Sequence, residues 1–465
     1  MDDAMFSAAL ETLCRDRFGA GHLAGLQRLS GGASMESWRF VWGGEALILR
    51  RLPPGLQASD ATVDSARISL SDQADLIALA GRHAVQVPAV RARLTAADGL
   101  GEGFIMACAP GEALPQILLR DPVYRRALDG LATQWAEQLA AIHRLPVDAL
   151  PDGIARTTAA QLLVDLEARW HALGGTSPVF ALAFGWLERA VPAPVTPALC
   201  HGDFRMGNLL ITPDGLSAVL DWELAHLGDP VQDLAFGCTP SWRFGHYDLP
   251  LGGFARAENL LEHYAAITGT PVDPARFRFW LVYACLWWGV CCLTMADIWR
   301  QSDDASPERL VIGRRVSEVE IDLLLMLGDD LPAPIHAFAL PNCAIAADTG
   351  VPAGHALIDA VRAWLDQRVI SASSGHARFE AKVAANALQM AARDAALGTR
   401  FADAQAQRLA HLRLDESELN ALLRSGPGTV IPAIHDHLRQ LAVENCSIDQ
   451  PHYAGLRKAS EIWSV

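Results

Sequence analysis

The chain has 465 residues, 51% of them apolar and 20% charged, with a net charge of −15 at pH 7. That length implies two to three domains with ample core, and the balance excludes an intrinsically disordered chain. Lys and Arg number 26 against 40 Asp and Glu in residues 1–330, and 12 against 13 in residues 331–465, so the excess acid lies in the first part and argues against nucleic-acid binding.

Nine cysteines are scattered without a C-x-x-C pair, which points to a reduced, cytoplasmic setting rather than a disulfide framework. Residues 1–5 lack the basic and apolar segments of a signal peptide.

In chain order, Leu29-Ser30-Gly31-Gly32-Ala33-Ser34 precedes the alternating Trp38, Phe40 and Trp42 and the run 46–51. This reads as strands around a glycine-containing turn, either an ordinary hairpin turn or one whose N–H groups approach phosphate oxygens. Residues 71–80 read as a helix. Residues 104–108 read as a short buried strand ended by Pro110-Gly111, which suits a hinge between lobes and equally a core strand with its turn. Leu131, Trp135, Leu139 and Ile142 have helical spacing, closing at His143 near the helix dipole.

Residues 199–223 carry the chemistry. Two apolar runs, 209–212 and 217–220, flank Pro213-Asp214-Gly215, a turn signal. A four-residue turn would set Thr212 against Ser217 and Asn208 against Asp221. An amide oxygen and a carboxylate would then converge beside the loop carrying Asp203, as hard ligands for magnesium. Asp203 precedes Asn208 by five positions, the D-x-x-x-x-N spacing of a kinase catalytic loop. A second reading takes His201, Asp203, His226 and Asp229 as transition-metal ligands.

Downstream, Asp229 and Asp233 read as the cap and first-turn carboxylate of a helix. Residues 241–245, with Arg276 and Arg278, read as surface packing. Residues 279–299 are as long and apolar as a membrane span, but Asp297 and Gly289 favour a buried core helix and no membrane association. A single amphipathic helix is expected over 310–327. The proline-rich residues 331–354 lack periodicity and mark a linker, implying that residues 1–340 fold by themselves. Helical patterns follow over 356–369, along 379–390, over 409–423 and over 431–443.

His201-Gly202-Asp203 with Asn208, followed by Asp221-Trp222-Glu223, resembles the signature of the aminoglycoside phosphotransferase and choline kinase superfamily. The surroundings, about residues 29–327, resemble more closely the kinase-like half fused to some acyl-CoA dehydrogenases. The resemblance implies an α+β, two-lobe protein-kinase-like fold followed by a small all-α domain. The divisions would be an N-lobe over 1–108, a C-lobe over 109–330, a linker over 331–354 and a helical domain over 355–465, with docking or oligomerisation as its expected role. It also implies that Gly31, Gly32 and Ser34 cover the phosphates and that Arg50 stands where the family has a strand lysine. No lysine occurs before Lys382, so arginine or histidine must meet the phosphates there. Met106 and Cys108 would border the adenine. His201, Arg205, Glu223 and Asp233 would support the loop and the metal. The helix over 71–80 lacks the glutamate that pairs with the family's lysine; Gln73, beside Asp72, stands in its place.

The expected reaction is transfer of the γ-phosphoryl group of ATP (or GTP) to a small-molecule hydroxyl. Asp203 would accept the proton, while Asn208 and Asp221 hold Mg²⁺. The resemblance ranks a hydroxyacyl-CoA above an aminoglycoside as acceptor. The competing expectation is a non-catalytic nucleotide-binding protein, a pseudokinase.

Overall fold

A computed structural model describes residues 3–29, 35–54, 67–302, 306–345 and 350–464. Gly31, Gly32 and Ser34 lie outside the described residues. The chain is α+β and divides into two compact units. The first holds Met1–Ala159, Ala193–Phe244 and Asp248–Trp280; the second holds Ala160–Pro192, Gly245–Tyr247 and Leu281–Val465.

In the first unit, β1 (Leu23–Arg28), β2 (Glu36–Trp42), β3 (Glu45–Leu52), β4 (Val90–Arg93) and β5 (Glu102–Ala107) form an antiparallel sheet in the order β1-β2-β3-β5-β4. Gly43 and Gly44, at φ 55° and 89°, make the tight turn between β2 and β3, where a side chain would be strained. Alternate residues Phe40 and Trp42, with Leu47 and Leu49, are buried against Phe6, Leu10 and Leu13 of helix Asp3–Phe18. Each such side chain contributes roughly 1.5–3 kcal/mol of burial. Helix Leu70–Arg82 begins at Ser69, whose Oγ accepts the Asp72 N–H at 3.0 Å, and it buries Leu70, Ala74, Leu76 and Ile77.

The second unit is helical. It joins helices Pro178–Ala190 and Val316–Leu327 to Gly375–Leu412, Glu416–Arg424, Pro432–Asp449 and Ala454–Trp463. It runs across the sequence-based divisions at 330 and 355, and the first unit runs across that at 108. Arg424 bonds Glu167 and Glu188, Asn445 donates to Glu320 at 3.0 Å, and the Tyr453 hydroxyl donates to Asp322 at 2.6 Å. These contacts join helices before and after residue 340 within one compact unit. Residues 331–345 have no regular structure, as expected, yet they are pinned. The Ile335 and His336 N–H groups donate to Asp436, and His435 donates to the Pro332 carbonyl.

Two expected helices are each split. Residues 310–327 form Glu308–Gly313 and Val316–Leu327, broken where Arg314 reaches Asp394 and Asp449 and Arg315 reaches Glu318. Residues 409–423 break after Leu412, where Arg413 turns left-handed and Asp415 and Glu418 form a capping box that starts Glu416–Arg424. Helix Ala454–Trp463 had no sequence-based counterpart. Helix Pro274–Gln301 is long and apolar enough to cross a membrane, and 72% of its apolar window is buried inside the protein.

Candidate active site

The stretch with the D-x-x-x-x-N spacing is carried by two small ribbons: β6 (Ala198–Cys200) paired with β9 (His226–Gly228), and β7 (Leu209–Thr212) paired with β8 (Gly215–Val219). The β7–β8 hairpin is real, but its register differs from the expected one. Thr212 faces Gly215 around a two-residue turn, and Leu209 faces Val219 across a bulge at Leu210/Ile211. The physical reason is a third segment. Glu112 exchanges both backbone hydrogen bonds with Ile211, each 2.9 Å. Gly111 lies against that backbone, where a Cβ would come within 3.0 Å of the Ile211 nitrogen. Asn208 therefore does not sit opposite Asp221; its carbonyl accepts the Leu220 N–H at 2.8 Å.

The loop from His201 to Asn208 is held from below. Asp233, fully buried on helix Val231–Phe236, accepts the His201 N–H at 2.7 Å and the Gly202 N–H at 2.9 Å. Its Oδ2 also meets His143 Nε2 at 3.2 Å, and His143 Nδ1 bonds the Tyr264 hydroxyl at 2.8 Å. Burial alone would raise the Asp233 carboxyl, but the His143 contact and the backbone donors hold it below the usual carboxylate range. His143 is thus a brace for the loop rather than a helix-end residue only. Gly202 is required at φ 83°, and a Cβ there would come within 2.4 Å of the Leu224 carbonyl oxygen.

His201 is buried and neutral. Its Nδ1 accepts the Asp203 N–H at 3.2 Å, which leaves Nε2 to donate to the Leu220 carbonyl at 3.0 Å. Desolvation outweighs the surrounding carboxylates and lowers its pKa. The Asp203 carboxylate accepts Asn208 Nδ2 at 2.6 Å on Oδ2 and Arg205 Nε at 2.9 Å on Oδ1. Burial pushes its pKa up, against the pull of Arg205 and with the help of Asp221. The Asn208 amide nitrogen is spent on Asp203, which leaves Oδ1 as its oxygen ligand. The Arg205 guanidinium also stacks on Trp242, 4.6 Å from the ring centroid. Ser241, Trp242 and Arg243 are buried, not surface residues.

Asp221 has φ 65° and ψ 65°, a left-handed conformation uncommon outside glycine and concentrated at functional sites. Arg50 of β3 donates from Nη2 to Asp221 Oδ1 at 2.7 Å and to Glu223 Oε2 at 3.0 Å. Burial opposes the Asp221 charge, but the Arg50 guanidinium wins and lowers its pKa. Glu223 behaves oppositely: burial and the neighbouring Asp221 push it up to about 6. Gln73 and Asp72 do not replace the missing glutamate. Gln73 Nε2 donates to the Ile68 carbonyl, and Asp72 accepts the Ser69 hydroxyl. Arg67 also reaches Glu223, at 3.3 Å. Nothing in the sequence singles it out, because it stands in an aperiodic stretch with no motif.

At the hinge, Met106 pairs with Ile48 inside the sheet, and the Cys108 N–H is donated to the Ala46 carbonyl at 2.9 Å. The transition-metal set does not assemble. His226 bonds the Leu224 carbonyl and Gln232, while Asp229 holds Arg276 and the Trp280 indole. Among the described residues no group of three or more His, Cys, Asp and Glu gathers as a metal site.

A half-buried aspartate in a D-x-x-x-x-N loop thus stands beside an acidic pair bound by a strand arginine. The chain belongs to the phosphotransferase enzyme family, whose members match residues 25–271. Residues 371–453 match a domain of unknown function, DUF6285. The chain is 29% identical over 278 residues to the Probable acyl-CoA dehydrogenase IBR3 of Arabidopsis thaliana, covering 51% of this chain and 31% of that protein. It therefore spans about a third of that relative. It is 28% identical over 213 residues to the Aminoglycoside 3'-phosphotransferase of Streptomyces fradiae, covering 44% of this chain and 75% of the other. A structure solved under the aminoglycoside phosphotransferase name, from Ralstonia eutropha, covers 70% of this chain and 98% of its own at 19% identity, with a TM-score of 0.55. That likeness shows the shared fold.

Proposed function

We propose that this protein transfers the γ-phosphoryl group of ATP (or GTP) to a hydroxyl of a small molecule, with Asp203 as the base. The observation that carries this reading is the half-buried Asp203 carboxylate, fixed by Asn208 and Arg205 in a loop braced by Asp233. An acceptor hydroxyl that reaches it would lose its proton to Asp203. The donor set beside it suits magnesium: Asp221 offers a carboxylate and Asn208 an amide oxygen, with Glu223 adjacent. Magnesium usually takes one or two protein ligands and completes its shell with phosphates and water. When bound it would neutralise charge on the transferred phosphoryl group. Arg50 would turn from the carboxylates to the phosphates.

The acceptor proposed is a hydroxyacyl-CoA or related acid derivative. Two observations support it: the acyl-CoA dehydrogenase name of the plant relative, and the Arg205 guanidinium beside the base. The aminoglycoside phosphotransferase relative supports the alternative of a cationic acceptor. One observation favours a pseudokinase instead: Arg50 lacks a helix glutamate and engages the metal-ligand candidates. The test is Mg²⁺-dependent transfer from ATP to a panel of hydroxyacyl-CoAs, alcohols and aminoglycosides, read by mass spectrometry. Phosphorylated product lost in Asp203→Asn supports the kinase reading. Nucleotide binding without any transfer supports the pseudokinase.

A further inference from the structure

The second unit contains a cavity of about 310 Å³, a size that holds a small organic molecule. Its wall joins Trp170 and Ser177 to Glu320, and these to Asn420, His437 and Asn445 from the helices after the linker. Leucines 293, 409, 419 and 441 supply the apolar part. The unusual member is Glu320. It is buried, and among the described residues its two carboxylate oxygens accept Ser177 Oγ at 2.7 Å and Asn445 Nδ2 at 3.0 Å and meet no cation. Among the described residues no arginine or lysine lines the cavity, and a second carboxylate, Glu416, does.

The nearby cations are committed elsewhere. Arg408 forms a forked pair with Glu444 at 2.6 and 2.9 Å, and Arg314, on an adjoining cleft, is tied to Asp394 and Asp449. His437, whose Nδ1 accepts from Arg408 Nε, is held neutral by burial and by that arginine. Two wall residues also carry buried polar atoms with no partner: Asn420 Oδ1, an acceptor, and Trp170 Nε1, a donor. Buried polar groups left unpaired are costly, and a ligand that reaches them relieves that cost. The wall thus has surplus acceptors, no counter-charge for a buried acid and a leucine-rich face. A metal ion fits this poorly, because a compact ion leaves the apolar walls uncovered.

We infer that this cavity is a binding site for a small organic amine, its ammonium group placed against Glu320 and its hydrocarbon body on the leucines. Burial raises the Glu320 carboxyl while the cavity lacks a cation, so an entering ammonium would draw it into its ionised form. The ligand would touch residues on both sides of the linker and so report occupancy through the helical domain.

The test uses the full chain and three probes with one hydrocarbon body: hexylamine, hexanol and hexanoate, by isothermal titration calorimetry at pH 7.5. The expected result is saturable one-to-one binding of hexylamine, at least tenfold tighter than hexanol, with hexanoate not bound. Glu320→Gln keeps the partners' geometry and should lose the preference for the amine. Leu409→Trp, at a half-buried wall position, should block all three probes. Asp203→Asn should leave amine binding unchanged. Equal affinity for hexylamine and hexanol, no saturable binding, or binding lost in Asp203→Asn but intact in both cavity variants would overturn the inference.

Discussion

Arg50 Nη2 lies 2.7 Å from Asp221 Oδ1 and 3.0 Å from Glu223 Oε2, so one guanidinium nitrogen bridges both acids of the Asp-Trp-Glu motif. The arginine on the strand has taken its anionic partners from the motif itself, not from the helix that bears Gln73. Its Nε is buried without a partner, which marks a side chain posed for the acids rather than fully satisfied. Arg50→Ala should therefore weaken ATP by roughly 10–100-fold, the worth of a charge-assisted hydrogen bond, and leave adenosine affinity unchanged. Titrating both ligands into the variant checks this. Equal weakening of ATP and adenosine would make Arg50 a packing residue of the sheet.

Asp203→Asn should retain the fold and nucleotide binding while turnover falls roughly 10²–10⁴-fold. The loop is held by Asp233 through the backbone of His201 and Gly202, so the amide does not disturb it. The pH profile gives an independent readout. A base must be ionised, and burial raises the Asp203 pKa, so activity should fall on the acid side at a pH above that of an ordinary aspartate. Near-normal turnover in the variant, with the true acceptor, would remove Asp203 from the chemistry.

Local chemistry made much of this site legible. The spacing from Asp203 to Asn208 and the Asp221-Trp222-Glu223 motif are short-range, and the structure gathers them with Arg50. What escaped the sequence depended on distant segments. The Glu112 backbone bridges to Ile211 and forces the bulge that moves the hairpin register. His143 reaches Asp233 across ninety positions, and no periodicity announces such a contact. The same holds for the fold. Strands and long helices follow their apolar spacing, whereas the breaks at Arg314 and Arg413 arise from ion pairs and a capping box.

His437 gives a stability prediction. Burial and Arg408 lower its pKa from 6.5 to about 4. A histidine depressed in the fold contributes stability that is present above its unfolded pKa and lost as pH falls from 6.5 toward 4. The full effect is roughly 3 kcal/mol, at about 1.4 kcal/mol per pKa unit. Urea unfolding at pH 7.5 and pH 4.5 should show a larger loss for the parent than for His437→Gln. Identical losses would mean that His437 titrates normally in the folded protein.

The last prediction concerns residues 1–340. The linker reading makes that fragment self-sufficient, but helix Val316–Leu327 is buried nearly all round, including Glu318, Glu320 and Asp322. Asn445 and Tyr453 satisfy two of those acids from beyond the linker. Removing them would take one donor from each of these buried carboxyl groups, leaving Ser177 on Glu320 and Tyr247 on Asp322, and uncover leucines whose burial contributes roughly 1.5–3 kcal/mol each. The fragment should therefore be insoluble, or soluble without cooperative unfolding or near-ultraviolet dichroism. A point variant in the full chain addresses the same contact without deleting anything. Gly185 sits under the end of helix Glu416–Arg424, where a Cβ would come within 2.5 Å of the Arg424 carbonyl oxygen. Gly185→Val must push that helix away and strain the pairing of Arg424 with Glu167 and Glu188. Its melting temperature should drop by several degrees, as for a loss of about 1–3 kcal/mol. A monomeric fragment 1–340 that unfolds cooperatively, together with a Gly185→Val protein as stable as the parent, would show that the helices after the linker only lean on the kinase-like part.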